Sequence, residues 1–206
     1  MKKYLLTAPK NNGGGGLATP PNNEIWYTSS DGNIVTLELQ QNATDAFGAN
    51  IVSNTYRNGK GIIKFAGGVT IIGWAVFADC TRLTSISIPN SVETIRDGAF
   101  QSSTSLTSIN IPNSVTSLGE GAFFGCTGLP SVTLGNSMLN ISPYAFASCT
   151  SLTFVKVETI TPTRWFSADT FNGCTALTEI LVPSASVDLY KAASGWSDYA
   201  NIIKGY

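Results

Sequence analysis

The hydrophobic and polar positions along the chain repeat at intervals of 23 to 25 residues. In each unit a phenylalanine is followed by a leucine and then by two aliphatic residues separated by one position. The phenylalanines are Phe77, Phe100, Phe123, Phe146 and Phe171. The alternation is typical of a strand with one buried side, and the recurrence of whole units predicts a solenoid in which neighbouring units bury one another's apolar columns.

Each predicted strand is followed by a turn. Pro-Asn-Ser occurs at 89–91 and 112–114, and Gly-Asn-Ser takes its place at 135–137. Proline suits a strand end, and asparagine and serine favour turns. The segment before each phenylalanine is short and interrupted by glycine, so it predicts a helical or 3-10 turn on the outer side. We therefore expect adjacent parallel strands at 63–65, 85–88, 108–111, 131–134, 154–157 and 179–182.

The segment 115–137, VTSLGEGAFFGCTGLPSVTLGNS, resembles the BspA-type leucine-rich repeat family, and the resemblance extends over roughly 60–183. It implies an α/β solenoid, a leucine-rich repeat with a parallel β-sheet on one face, short helical or 3-10 returns on the other, and terminal caps. It also implies a bacterial surface or secreted protein that adheres to other proteins. The departures from the family pattern are Ser103 for Cys, Gly135 and Glu158 for Pro, and a two-residue insertion near 159–165.

The regions outside the repeats suggest how the chain is organised. We expect a flexible N-terminal linker over 1–23, which is rich in glycine, proline and asparagine. An N-terminal cap over 24–58 is predicted to contain a β-hairpin turning at Asp31-Gly32. Repeats of about 23 residues follow over 59–183, and a helical C-terminal cap over 184–206 begins after Ser186.

Composition narrows the function. Hydrophobic residues make up 43% of the 206-residue chain, charged residues make up 12%, and the net charge is −1. A sizeable core is therefore expected, whereas nucleic-acid binding is not, because no basic surface neutralises phosphates. No apolar run approaches the roughly 18 residues of a membrane span, so membrane insertion is not expected either. The chain contains no histidine, which disfavours an enzyme without removing carboxylate or lysine chemistry, and no cofactor is expected.

Four cysteines share one column, three residues after the phenylalanine of their unit. They are Cys80, Cys126, Cys149 and Cys174, and Ser103 takes the same position in the remaining unit. Buried, reduced thiols are the favoured interpretation, with disulfides as the alternative. A metal site is not predicted, because zinc needs ligands that converge from four directions. Asp97 and Glu120, one unit apart, are interpreted as solvated charges rather than catalytic carboxylates.

The strand positions between the buried ones form the exposed face of the predicted sheet. They include Ser108, Asn110, Ser131, Thr133, Phe154, Lys156, Glu179 and Leu181. The middle of this face is small and polar, whereas its C-terminal third carries an aromatic and an aliphatic residue flanked by opposite charges. This third is either a binding surface or is covered by the C-terminal helix.

We therefore expect a non-enzymatic protein-binding or adhesion module that uses this face. The expected partner is a host matrix or bacterial surface protein, a glycan is less favoured because the tryptophans lie outside the strand columns, and the expected location is the cell surface or the medium. The alternative is a structural spacer or assembly module without a ligand. An exposed apolar patch on the sheet favours the first function and a uniformly polar sheet favours the second.

Overall fold

The computed structural model describes residues 18–39 and 42–206, so most of the predicted linker 1–23 lies outside the described residues. The strands are β1 (Glu24–Ser29), β2 (Ile51–Arg57), β3 (Lys60–Phe65), β4 (Ile71–Ile72), β5 (Leu83–Ser87), β6 (Thr94–Ile95), β7 (Ser108–Asn110), β8 (Ser117–Leu118), β9 (Ser131–Leu134), β10 (Asn140–Ile141), β11 (Phe154–Val157), β12 (Glu179–Val182) and β13 (Ile203–Gly205). The helices are α1 (Ala43–Phe47) and α2 (Val187–Ala192), with 3-10 turns at Ala168–Phe171, Ser184–Ser186 and Trp196–Tyr199. In this described part no helix is both long and apolar enough to cross a membrane.

The predicted α/β solenoid is confirmed. Each unit places one strand on the main face. This face consists of two sheets, in the orders β2-β3-β1-β5-β7 and β13-β12-β11-β9, and the repeat strands pair in parallel as β5-β7 and as β9-β11-β12. The register follows the repeat, since Ser85 lies opposite Ser108 and Ser131 lies opposite Phe154. The columns that the sequence assigns to the core are buried along most of their length.

The prediction of six adjacent parallel strands is wrong at its N-terminal end. β1 lies between β3 and β5 and runs antiparallel to both of them. The insertion is possible because β1 has the same alternation as a repeat strand: Ile25 and Tyr27 are buried, while the Thr28 hydroxyl lies 2.6 Å from the Ser85 hydroxyl. β3 therefore belongs to the cap rather than to the repeats.

The hairpin of this cap also differs from the prediction. The two-residue turn lies at Asn58-Gly59, between β2 and β3, and both residues have positive φ values of 52° and 76°. Such turns match the twist of a hairpin. Asp31-Gly32 is not a hairpin turn, because residues 34–39 form no strand. The Asp31 carboxylate instead accepts a hydrogen bond from the backbone N–H of Asn33 (3.1 Å).

The returns opposite the main face are held by a second set of strands. β4, β6, β8 and β10 form a four-stranded parallel sheet, and 3-10 helix occurs within the described returns only at Ala168–Phe171. The phenylalanines behind this sheet stack along the solenoid, with centroid distances of 5.1 Å for Phe77–Phe100, 5.1 Å for Phe100–Phe123 and 5.0 Å for Phe123–Phe146. Stacking of equivalent side chains is what a solenoid needs, because no single unit can bury its own core.

Both ends of the phenylalanine column are closed by aromatic side chains. Phe47 of α1 meets Phe77 edge-on, and Tyr199 meets Phe171 edge-on. In the C-terminal cap Trp196 is buried, stacks on Phe166 and is contacted edge-on by Tyr190. This cap also contributes β13, which pairs in parallel with β12.

The start of α2 shows one departure from the prediction. Ser186 stands at the helix N-terminus, but its hydroxyl donates to the carbonyl oxygen of Ile160 (2.7 Å) and makes no capping hydrogen bond to the helix. The residue therefore fastens the cap to the insertion loop after β11.

Candidate functional site

Six of the eight predicted face residues lie together on the sheet β9-β11-β12-β13. The register places Phe154 between Ser131 and Glu179, and it places Lys156 between Thr133 and Leu181. The neighbours that the repeat spacing predicts are therefore neighbours in space. Ser108 and Asn110 belong to the other sheet and face this group from across its edge.

Phe154 is the large apolar side chain of this group that meets solvent, since 38% of its surface is exposed. The C-terminal helix does not cover it, which was one of the two alternatives for this part of the face. Leu181 is half-buried one strand further along the sheet. The face thus presents an exposed aromatic ring and a partly accessible aliphatic side chain.

The charges around Phe154 are paired with one another. Lys156 Nζ lies 2.9 Å from a carboxylate oxygen of Glu158 and 4.5 Å from the centroid of the Tyr206 ring. The hydrogen bond to Glu158 raises the pKa of Lys156, so this side chain is a cation at neutral pH. Lys204 Nζ lies 2.6 Å from a Glu179 carboxylate oxygen. The Lys204–Glu179 pair is exposed and adds little stability, the Lys156–Glu158 pair is partly exposed, and both flank the ring with locally balanced charge.

The main face is divided into two sheets between β7 and β9, so the strands predicted at 108–111 and 131–134 lie next to each other without pairing. Within the described backbone, no hydrogen bond joins residues 107–111 to residues 130–134. β7 therefore has a ladder partner only in β5, and β9 has one only in β11. We call the space between β7 and β9 the sheet slot.

Pro130 removes one of the hydrogen bonds that would join the two strands. At this position of the repeat the other units carry threonine. The backbone N–H of each threonine donates to the carbonyl oxygen of the equivalent residue one unit back: Thr107 to Thr84 (2.9 Å), Thr153 to Pro130 (2.8 Å) and Thr178 to Thr153 (2.9 Å). Proline has no N–H, so the corresponding bond to the Thr107 carbonyl cannot form. The interruption of a threonine column by Pro130 is a signal that the sequence contains and that our sequence analysis missed.

The sheet slot is part of a polar cavity of about 450 Å³ that extends to Asn113 and Glu158. Its walls include the hydroxyl and amide side chains of Ser108, Asn110, Ser131 and Thr133. Ile109 also lines it and is only half-buried, whereas the equivalent Ile86, Val132, Val155 and Ile180 are buried. The separation therefore exposes the edges of both strands and one side of a core residue.

The cysteine column has a structural part. The thiols of Cys126, Cys149 and Cys174 each donate to the carbonyl oxygen of the phenylalanine in the preceding unit, at 3.0–3.1 Å, and the Ser103 hydroxyl donates to Phe77 in the same way (2.7 Å). All four thiols are free. Burial raises the pKa of Cys80 to about 11 and that of Cys126 to about 12, so neither is a nucleophile at neutral pH.

Asp97 and Glu120, which the sequence places one unit apart, are both exposed on neighbouring returns. The Asp97 carboxylate accepts a hydrogen bond from the Glu120 N–H (2.9 Å), which fixes one return on the next. Both residues line an open cavity of about 540 Å³ on the outer side, beside Phe124 and Tyr144. Among the described residues, no three His, Cys, Asp or Glu side chains are placed to hold a metal ion together.

The repeat region is similar to known proteins. The family described as "BspA type Leucine rich repeat region (6 copies)" matches residues 70–193. A leucine rich cell surface protein from Faecalibacterium prausnitzii A2-165, known from a crystal structure, is 28% identical with a TM-score of 0.55, and the match covers 66% of this chain and 33% of that chain. A T. pallidum leucine rich repeat protein is 27% identical with a TM-score of 0.48, and the match covers 68% of this chain and 69% of that one. No curated protein matches the chain in sequence.

Proposed function

Because the chain belongs to the BspA-type leucine-rich repeat family, we propose that it is a non-enzymatic module that binds another protein through its main sheet face. The single observation that carries the proposal is the exposure of Phe154, with Leu181 beside it, on the sheet β9-β11-β12-β13, where the neighbouring outward residues are serine, threonine, lysine and glutamate. Large side chains at the centre of a polar surface are the usual anchors of protein interfaces. The rigid, extended sheet of a solenoid presents such anchors at fixed spacing.

The proposal includes a location and a class of partner. The match to a cell surface protein of F. prausnitzii supports a bacterial protein at the cell surface or in the medium. At such a location the available partners are host matrix proteins and proteins of other bacterial envelopes. The match spans only about a third of that chain, so whatever the whole F. prausnitzii protein does is extended to this chain only as part of the proposal.

A second function is favoured by a different part of the face. The outward residues Ser85, Ser108 and Asn110 of β5 and β7 are small and polar. A face of this kind suits a spacer that holds other parts of a protein apart and binds nothing itself. Phe154 favours the binding function over this one.

The test is a capture experiment with matched variants. The immobilised protein is incubated with a host matrix fraction and with a bacterial envelope fraction, and each retained protein is titrated against wild type and against the double variant Phe154→Ser with Leu181→Ser. We expect the double variant to bind at least tenfold more weakly with little change in melting temperature, because these anchors contact solvent or lie at the surface. Ser108→Ala should have little effect.

Phe124 provides the matched control. It is 37% exposed, nearly the same as Phe154, but it lies on the outer returns. Phe124→Ser should leave binding unchanged. Equal affinities of wild type and the double variant would contradict the proposal, and so would an equal loss in Phe124→Ser. The spacer function would gain support if the binding of every captured protein is independent of Phe154 and Leu181.

A further inference from the structure

The edges of β7 and β9 that face each other in the sheet slot have no ladder partner in the described structure. Backbone N–H and C=O groups are strong hydrogen-bonding groups, and a strand edge that lacks a partner is a template for another extended chain. The slot differs from the outer edges of the sheets because two such templates face each other across one space.

The size of the space corresponds to a short extended segment. An extended chain occupies about 4.8 Å across a sheet, about 10 Å in depth and about 3.3 Å per residue along the strand, which is roughly 160 Å³ per residue. The cavity of about 450 Å³, which extends beyond the two strands to Asn113 and Glu158, therefore has the volume of roughly three residues. This is also the length of β7, which has 3 residues.

The side chains of the slot indicate which segment fits. Ser108, Asn110, Ser131 and Thr133 point to the outer face, so outward positions of an added strand have small polar neighbours. Half-buried Ile109 lacks the cover that its equivalents have, so an inward position has an apolar neighbour. The fitting sequence alternates small polar and aliphatic residues, as the repeat strands themselves do.

The same sheet already contains an inserted strand. β1 lies between β3 and β5 and is antiparallel to both, with Ile25 and Tyr27 turned into the core. The fold thus accepts an additional strand between strands of the main face. At the sheet slot the returns stay closed, since Phe100 and Phe123 are 5.1 Å apart, and the opening is confined to the sheet side.

We propose that the sheet slot binds an extended segment of a partner protein, with alternating small polar and aliphatic residues, as an added strand between β7 and β9. Some Cα atoms of the two strands lie within 8 Å of each other. An added strand requires two spacings, about 9.6 Å, so the strands must move apart by at least about 1.6 Å where they are closest. The inference rests on the proposed function, because it specifies how a protein partner enters the same face.

The probe is the peptide LTSINI, the sequence of residues 106–111, acetylated, amidated and labelled for fluorescence polarisation. We expect saturable binding to the full chain and at least tenfold weaker binding of LTPINI, which lacks one N–H donor. A peptide of the same composition with its aliphatic residues adjacent should also bind at least tenfold more weakly. LTSINI should slow the amide hydrogen exchange of β7 and β9, and it should leave the exchange of the outer strands β2 and β13 unchanged.

The matched protein variants are Pro130→Thr, which restores the missing N–H, and Pro143→Ala, which changes an exposed proline on a return. Pro130→Thr should weaken LTSINI binding at least tenfold and Pro143→Ala should not. The proposal is overturned if neither peptide binds, if LTPINI binds as well as LTSINI, if Pro130→Thr leaves binding unchanged, or if protection falls on β2 or β13. If Pro130→Thr does not fold, the comparison of LTSINI with LTPINI still tests the proposal, because it uses the wild-type chain. Leu181→Ser should leave LTSINI binding intact, which separates failure of this inference from failure of the proposed function.

Discussion

Replacing Phe123 by alanine tests whether the phenylalanine column is the core of the solenoid. Phe123 is fully buried and lies between two parallel rings, at 5.1 Å from Phe100 and 5.0 Å from Phe146. A Phe→Ala change in a core costs about 3–5 kcal/mol, and each lost ring pair contributes about 0.5–1.5 kcal/mol beyond area burial. The neighbouring rings cannot close the gap, because backbone hydrogen bonds such as Phe123 N–H to Ala145 O (2.7 Å) fix the unit spacing.

We therefore expect a cost of about 5 kcal/mol, at the upper end of that range. For a chain of this size this corresponds to a fall in melting temperature of about 10–20 °C. Urea unfolding followed by circular dichroism measures the free energy of unfolding, and calorimetry measures the melting temperature. A partner titrated below the lowered melting temperature should bind the variant with unchanged affinity.

The control is the next residue along the chain. Phe124 is 37% exposed and makes no part of the ring stack, so Phe124→Ala should cost less than about 1 kcal/mol. The reasoning fails if Phe123→Ala is nearly as stable as the wild type, or if the two alanine variants lose equal stability. Either result would mean that the column is not the core.

Two further predictions concern the cysteine column. Burial raises the pKa of Cys126 from 9.0 to about 12, so its contribution to stability is present below pH 9.0 and is lost as the pH rises toward 12. Urea unfolding across this pH range should show that the free energy of unfolding falls less steeply with pH in Cys126→Ser than in the wild type. The same pH dependence in both proteins would contradict the assignment. Ser103→Cys should change the free energy of unfolding by less than about 1 kcal/mol, because the thiol can donate to the same Phe77 carbonyl. Ser103→Ala leaves that carbonyl without its side-chain donor and should cost about 1–3 kcal/mol. Equal stability of the two variants would refute this role.

The repeat could be predicted from the sequence because each unit's contacts are with the next unit. Once Phe100 and Phe123 are recognised as equivalent, stacking follows from the fixed interval, and so does the register that brings Phe154 beside Glu179. The Ser103 substitution was also readable, because serine and cysteine donate the same hydrogen bond at that position. These features depend on local periodicity.

The remaining features depend on pairing between distant segments or on one atom. β1 and β5 are far apart in the sequence, and nothing in the alternation of β1 distinguishes a hairpin strand from a strand inserted between two others. The sheet slot lies where Pro130, which has no N–H, interrupts a column that otherwise carries threonine. A conformational effect of this kind has no hydrophobic signature, so the periodic pattern does not reveal it.

The dimensions of the sheet that carries Phe154 limit the strength of a single contact. Its four strands span about 19 Å at about 4.8 Å each, and strands of 4 residues such as β11 are about 13 Å long, which gives an area of roughly 250 Å². A stable protein complex buries about 800 Å² on each partner. A partner that contacts only this sheet would therefore be held briefly, and lasting attachment would require either contact with the rest of the main face or many copies that act together on one surface, where avidity multiplies weak affinities.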